Sequence, residues 1–239
     1  MKQNHKFKKS MNKPIPLEHG KFYHIYNRGI DSCKIFKENT NYEHFLRLYE
    51  RYISLVADTY AWCLMGNHFH LLLRIKNEEE IGFIPLKNEL LSEHKSNEIA
   101  INAVTPSSAI SSLDGGFEKK KYKPSNQLSH LFNAYTNAFN KKYERTGALF
   151  EKPFRRINID SIKYLNYLIY YIHHNPVHHG FVDDMIEYPW SSYLTILSPN
   201  KTHLKRKEVI EWFDDTGNYK YFHNQQHDLD NVKELLIDG

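Results

Sequence analysis

Cysteine is nearly missing from this 239-residue chain: Cys33 and Cys63 are the only two, with no CxxC pair. That leaves no disulfide framework, and a reducing, cytoplasmic setting is expected. Long apolar runs are missing too. None approaches the ~20 residues a membrane-crossing helix needs, and the lysine-bearing start has no apolar segment behind it, so neither a membrane partner nor an export signal is expected. Charge is not strongly one-sided: 32 Lys and Arg face 28 Asp and Glu, a net +4. With 41% apolar residues the chain can bury one good core.

What is present is unevenly placed. Lys2, Lys6, Lys8, Lys9 and Lys13 form a basic arm over residues 1–20, and Lys119, Lys120, Lys121 and Lys123 form a second cluster. Residues 141–163 carry seven cations (Lys141, Lys142, Arg145, Lys152, Arg155, Arg156 and Lys163) against Glu144, Glu151 and Asp160. Seventeen tyrosines and fifteen histidines lie among these charges. Phosphates attract cations and unstacked bases attract flat rings, so this mixture points to single-stranded nucleic acid.

Periodicity organises the rest. Lys21–Asn27 reads as a strand closed by Arg28-Gly29, and residues 41–56 as a helix with Tyr42, Phe45, Leu46, Tyr49 and Ile53 in the i, i+3, i+4 rhythm. Thr59–Met65 and His68–Ile75 read as strands joined by a Gly66-Asn67 turn. Residues 77–124 are polar, hold Pro85, Pro106, Gly115 and Gly116, and read as an insertion with a short helix over 86–95. Residues 125–144 read as a long helix stopped by Gly147. Phe154–Ile159 follows as a strand, then a helix capped by Asp160 or Ser161 and ended near Asn175 by Pro176. Residues 199–239, with the amphipathic stretch 209–213, read as a small helical accessory tail. The order strand, helix, strand, strand, helix, strand predicts an α+β, ferredoxin-like antiparallel sheet with two helices on one face. A further helix then lies over the other face.

The run Met65-Gly66-Asn67-His68-Phe69-His70-Leu71-Leu72-Leu73-Arg74 carries the chemistry. Strand side chains alternate faces, so His68 and His70 point the same way, about 7 Å apart. Two imidazoles so placed can grip one metal ion, although a half-exposed pair is the blander reading. Leu165, Leu168, Ile169 and Ile172 make the core stripe of the last long helix, with Tyr164, Tyr171 and Asn175 on its flank. Tyr171 and Asn175 are i, i+4 neighbours. A tyrosine hydroxyl can attack phosphorus and hold the product as an ester, if something offsets its ordinary pKa of about 10 and polarises the phosphate. A divalent ion on His68, His70 and the Asn175 amide oxygen would do that. Tyr170 points about 100° away from Tyr171, and Tyr135, with Phe139 at i+4, reads as packing. His173, His174, His178 and His179 read as a helix-end cluster that caps the helix or meets phosphates.

These blocks resemble a family. His68-Phe69-His70 after a glycine turn is similar to the histidine–hydrophobic–histidine motif of HUH single-strand DNA transposases. Tyr171-Ile172-His173-His174-Asn175-Pro176-Val177, followed by Gly180-Phe181-Val182 and Tyr188-Pro189-Trp190-Ser191-Ser192-Tyr193, resembles the signature of REP-associated tyrosine transposases, relatives of the IS200/IS605 Y1 enzymes. Residues 23–29 and 147–154 resemble further family blocks, so the likeness spans roughly residues 20–198. It implies a Y1 catalytic domain over 21–198 with Tyr171 as nucleophile and His68, His70 and Asn175 as metal ligands for Mg²⁺ or Mn²⁺. It implies cleavage of single-stranded DNA beside a hairpin or palindromic repeat, a 5′-phosphotyrosine intermediate, and a monomer or homodimer. Asn27, Arg28, Lys152, Arg155, Arg156 and His174 are the candidate DNA contacts. Phe150 stands where many relatives have Trp, and the insertion is long for the family. The rival readings are a non-catalytic, domesticated nucleic-acid binder and a metallohydrolase. The hydrolase would want Asp, Glu or His where this chain has Asn175.

Overall fold

The computed structural model describes residues 14–85 and 120–227. In chain order it contains β1 (Phe22–Arg28), α1 (Asn39–Ile53), β2 (Ala57–Leu64), β3 (His68–Ile75), α2 (Pro124–Lys142), β4 (Arg155–Ile159) and α3 (Ile162–His178). Three short helices follow: α4 (Tyr193–Leu197), α5 (Arg206–Trp212) and α6 (Thr216–His223). The strands form one antiparallel sheet in the order β2-β3-β1-β4, the expected βαββαβ topology with β1 and β3 in the middle.

Alternation along the central strands builds two cores. Tyr23, Ile25, Phe69, Leu71, Leu73 and Ile75 face α1 and α2, packing on Phe45, Tyr49 and Ile53 and on Leu128, Leu131, Phe132, Tyr135 and Phe139. The buried positions of α1 recur at i, i+4, the spacing of one helical face. Leu72 joins the opposite core with Tyr60, Ala61 and Cys63. An irregularity in the β2–β3 register between Thr59 and Ala61 inserts Tyr60 out of step. It puts both Tyr60 and Ala61 on that second face.

The second face is covered by more than one helix. Leu165, Leu168, Ile169 and Ile172 of α3 pack there, and so do Ile196, Val209 and Tyr219 from the three short helices and Phe213 just after α5. Tyr60 stacks on Trp212, with ring centroids 4.8 Å apart, and donates its hydroxyl to Glu208 at 2.7 Å. Val209, Phe213 and Tyr219 are therefore buried in the same hydrophobic cluster as α3, across the expected boundary at 198/199. Single-residue periodicity hid this, because α5 and α6 are too short to show a full stripe.

Two other expectations shift. The last long helix passes through Pro176 instead of ending before it, and stops where Gly180 takes φ +67°. Phe181 N–H bonds to the Pro176 carbonyl and Gly180 N–H to that of Val177, a Schellman ending that satisfies the terminal carbonyls. The insertion leaves and returns at one place: Ile84 N–H bonds to the Lys120 carbonyl at 2.8 Å, and Tyr122 N–H to that of Gly82 at 3.2 Å. The expected helix over 86–95 and the basic arm through residue 13 lie outside the described residues.

Candidate active site

The expected metal ligands meet on the second face. Asn175 lies on α3, and its Oδ1 is 3.4 Å from His68 Nε2. His68 and His70 have ring centroids 5.2 Å apart and planes nearly perpendicular. The Tyr171 ring packs edge-on against His70 at 5.4 Å, one helical turn from Asn175. All four are buried: Tyr171 is 5% exposed, His68 6%, His70 2% and Asn175 not at all.

Hydrogen bonding sets which atoms can receive an electrophile. His68 Nδ1 lies 2.7 Å from Asn67 Oδ1. That is the shorter of its two polar contacts, so we assign the proton there, which leaves Nε2 as a lone pair. Asn175 Nδ2 donates to the Tyr171 carbonyl at 3.2 Å, which turns Oδ1 toward His68. His70 Nε2 is buried with no hydrogen-bond partner among the described residues. Three buried acceptors thus belong to neighbouring side chains. At ligand bonds of about 2.1 Å, adjacent donor atoms around one ion lie roughly 3.0 Å apart in octahedral and 3.4 Å in tetrahedral geometry, so the His68–Asn175 spacing fits a shared cation. Among the described residues no three His, Cys, Asp or Glu converge. The expected ligand set would offer an ion two imidazoles and an amide.

Burial keeps both imidazoles neutral. His68 is lowered to about 4 by desolvation, opposed by the Asn175 oxygen and aided by His179 and Arg28. His70 is held well below the ordinary histidine value by complete burial, then by His24, His68 and His179. Neutral rings are the form that binds metals.

The candidate DNA contacts divide. Arg28 pairs across the sheet with His68, and Arg155 with Tyr26, so both share the histidine face. Arg28 also forms a 2.7 Å ion pair with Glu151. Asn27 and Arg156 belong to the opposite face. There the Arg156 guanidinium lies over Phe154 at 4.1 Å, and both residues line a cavity of about 520 Å³ with Lys152, Phe132 and Phe150. Asn27 is buried, donates to the Glu151 carbonyl and accepts from Arg28 N–H, so it ties the end of β1 to the loop before β4. His174 donates to the His223 carbonyl at 2.8 Å and stacks on Tyr170 at 4.1 Å. With Tyr171, His178, Asp183 and His227 these two rings line a second cavity of about 650 Å³, against the tyrosine. His173, expected in a helix-end cluster that caps the helix or meets phosphates, is fully buried.

Two neighbours of the site carried other readings in the sequence, His24 inside a family-like block and His179 in the helix-end cluster. His24 lies on β1, with Nε2 2.9 Å from His70 Nδ1, and His179 follows α3 with its ring 5.0 Å from that of His68. The alternation His24-x-Tyr26 carried a signal for the first, since it faces the His68-x-His70 side in register.

No protein-family model matches this chain, and no curated protein matches it. A solved structure of a REP-associated tyrosine transposase bound to a REP hairpin is similar, with a TM-score of 0.51 at 14% identity. It covers 80% of this chain and 86% of that one. The two proteins share a fold: an α+β architecture around a four-stranded antiparallel sheet.

Proposed function

We propose that this protein is a metal-dependent, single-strand DNA endonuclease and strand transferase. It acts beside DNA hairpins, in transposition, through a phosphotyrosine on Tyr171. The observation that carries the reading is one tyrosine ring packed against His70, beside three buried acceptors on neighbouring side chains: His68 Nε2, His70 Nε2 and Asn175 Oδ1. The shared fold with a hairpin-bound transposase supports the same substrate class.

The Tyr171 oxygen bonds to phosphorus and gives up its proton. The bond from phosphorus to the 3′ oxygen breaks, and that oxygen leaves as a 3′-hydroxyl. The 5′ end stays on the enzyme as an ester, which a second 3′-hydroxyl reverses onto a new strand. His68, His70 and Asn175 would hold a divalent cation, Mg²⁺ or Mn²⁺, which when bound polarises a phosphate oxygen. By ligand softness alone, two imidazoles suit Zn²⁺ or Mn²⁺ better than Mg²⁺. The α3 helix holds Tyr171 and Asn175 in fixed relation, one turn apart. Arg28 and Arg155 supply positive charge on the same face for the strand's phosphates.

Incubating the full chain with a labelled hairpin oligonucleotide carrying single-stranded flanks, with Mn²⁺ or with excess EDTA, tests this. Metal-dependent cutting in the flank is expected. Free 5′-phosphate ends with no adduct would favour a hydrolase, and binding without any cutting would leave a nucleic-acid-binding protein.

A further inference from the structure

His24 is the buried group nearest the proposed metal site that the mechanism above leaves unused. It is fully buried on β1, and its Nε2 lies 2.9 Å from His70 Nδ1. The rings of His24, Tyr26 and His70 pack together with centroids 4.9 to 5.9 Å apart, which restrains rotation of either imidazole. His24 sits opposite Leu72 and His70 opposite Tyr26, so the two histidines are diagonal neighbours on adjacent strands.

We propose that His24 is a positioning residue that holds the proton on His70 Nδ1 and so presents His70 Nε2 as an unprotonated ligand. This rests on the metal reading given above. Two neutral imidazoles 2.9 Å apart share one proton, so one nitrogen donates and the other accepts. With His24 Nε2 donating, His70 would carry its own proton on Nε2, a buried donor with no partner and no capacity to bind a cation. With His24 Nε2 accepting, the proton sits on His70 Nδ1 and the buried Nε2 is a lone pair. Only the second arrangement serves an ion. His24 then does for His70 what Asn67 does for His68: each ring gives its Nδ1 proton to a fixed acceptor, and each Nε2 is left for the site. Metal-bound histidines are commonly held this way, and loss of the outer partner costs about ten- to a hundredfold in metal affinity.

The test uses full-length ¹⁵N-labelled protein. Long-range nitrogen–proton spectra of the metal-free wild type near neutral pH read the tautomer of His70 directly. The expected result is a proton on Nδ1. In His24→Leu that proton should redistribute to Nε2, and His24→Gln, whose amide oxygen accepts, should restore it. Mn²⁺ titration followed by electron paramagnetic resonance should show weaker binding in His24→Leu by about ten- to a hundredfold and partial recovery in His24→Gln. A wild-type His70 protonated on Nε2 overturns the proposal without needing any variant to fold. So does an unchanged tautomer with unchanged Mn²⁺ affinity in a folded His24→Leu, which would leave the metal site itself standing. Failure of the wild type to hold Mn²⁺ at all would bring down both the metal reading and this role for His24.

Discussion

Acid should destabilise this protein through a histidine pair buried between α3 and α6. His223 on α6 donates from Nδ1 to the Tyr219 carbonyl at 2.8 Å, so its Nε2 accepts from His173 Nδ1 at 3.0 Å. His173 Nε2 in turn accepts from the Ser192 hydroxyl at 2.8 Å, and Ser192 Oγ accepts Trp62 N–H at 2.9 Å. In this assignment the Tyr219 hydroxyl, 3.3 Å from His173 Nδ1, is a second and longer contact, and both rings are neutral. Burial lowers His223 to about 3, opposed by the Tyr219 carbonyl and aided by His174 and His227, and it lowers His173 well below its ordinary value. A base whose folded pKa is depressed is protonated first in the unfolded chain. Its stability contribution is therefore complete above an unfolded pKa of about 6.5 and is lost as pH falls toward the folded value. For His223 the loss between about pH 7 and pH 5 works out at roughly 2 kcal/mol, or about 4–8 °C in melting temperature for a chain of this size. Titrating carboxylates add their own pH dependence, so the comparison should be against His223→Leu. That variant orphans the His173 donor and should cost about 1–3 kcal/mol near neutrality. Urea unfolding followed by circular dichroism at about pH 7, 6 and 5 should show the gap between wild type and variant shrinking by roughly 2 kcal/mol. A gap that stays constant across that range would refute the proton assignment.

Three further outcomes follow from the geometry. Asn175→Ala should leave the fold intact and reduce cleavage less than His68→Ala or His70→Ala, because a neutral amide holds a cation more weakly than an imidazole; equal loss in all three, measured as single-turnover rates, would contradict the ligand ranking. Replacing residues 86–119 with a short Gly-Ser linker should preserve the melting temperature and hairpin cutting, since Ile84 and Lys120 already pair at the point of exit. A collapse of either would place those residues in the core or the site. Binding to a hairpin with single-stranded flanks should exceed binding to plain duplex and weaken steeply with salt, as phosphate-driven association does. Equal affinity for the duplex in fluorescence titrations would reject the single-strand reading.

The sheet and its topology were legible because central strands bury both faces and their alternation is strict. Phe69, Leu71, Leu73 and Ile75 point one way and His68, His70 and Leu72 the other, as the run of residues 65–74 reads. The tyrosine–amide spacing on α3 was equally plain, since i and i+4 share a face in any helix. What escaped had tertiary causes. Pro176 does not end α3, because the Schellman turn at Gly180 satisfies carbonyls downstream of it. Asn27 reads as a DNA contact beside Arg28, yet strand alternation sends it to the opposite face, where it ties two backbone segments. His173 and His174 are adjacent in sequence, but one is core and the other borders the cavity beside Tyr171, because a helix turns by about 100° per residue. His24 read only as part of a family-like block because its meaning depends on a neighbour forty-six residues away, seen only when β1 and β3 pair.

The most direct measurement is the covalent bond itself. Wild type and Tyr171→Phe should each be incubated with Mn²⁺ and a hairpin oligonucleotide, then resolved under denaturing conditions, with the adduct mapped by tandem mass spectrometry. The wild type should carry the 5′ fragment on the peptide containing Tyr171, while Tyr171→Phe should bind the same DNA and carry none. An adduct on Tyr170 or any other residue, or one that survives in Tyr171→Phe, would contradict the assignment.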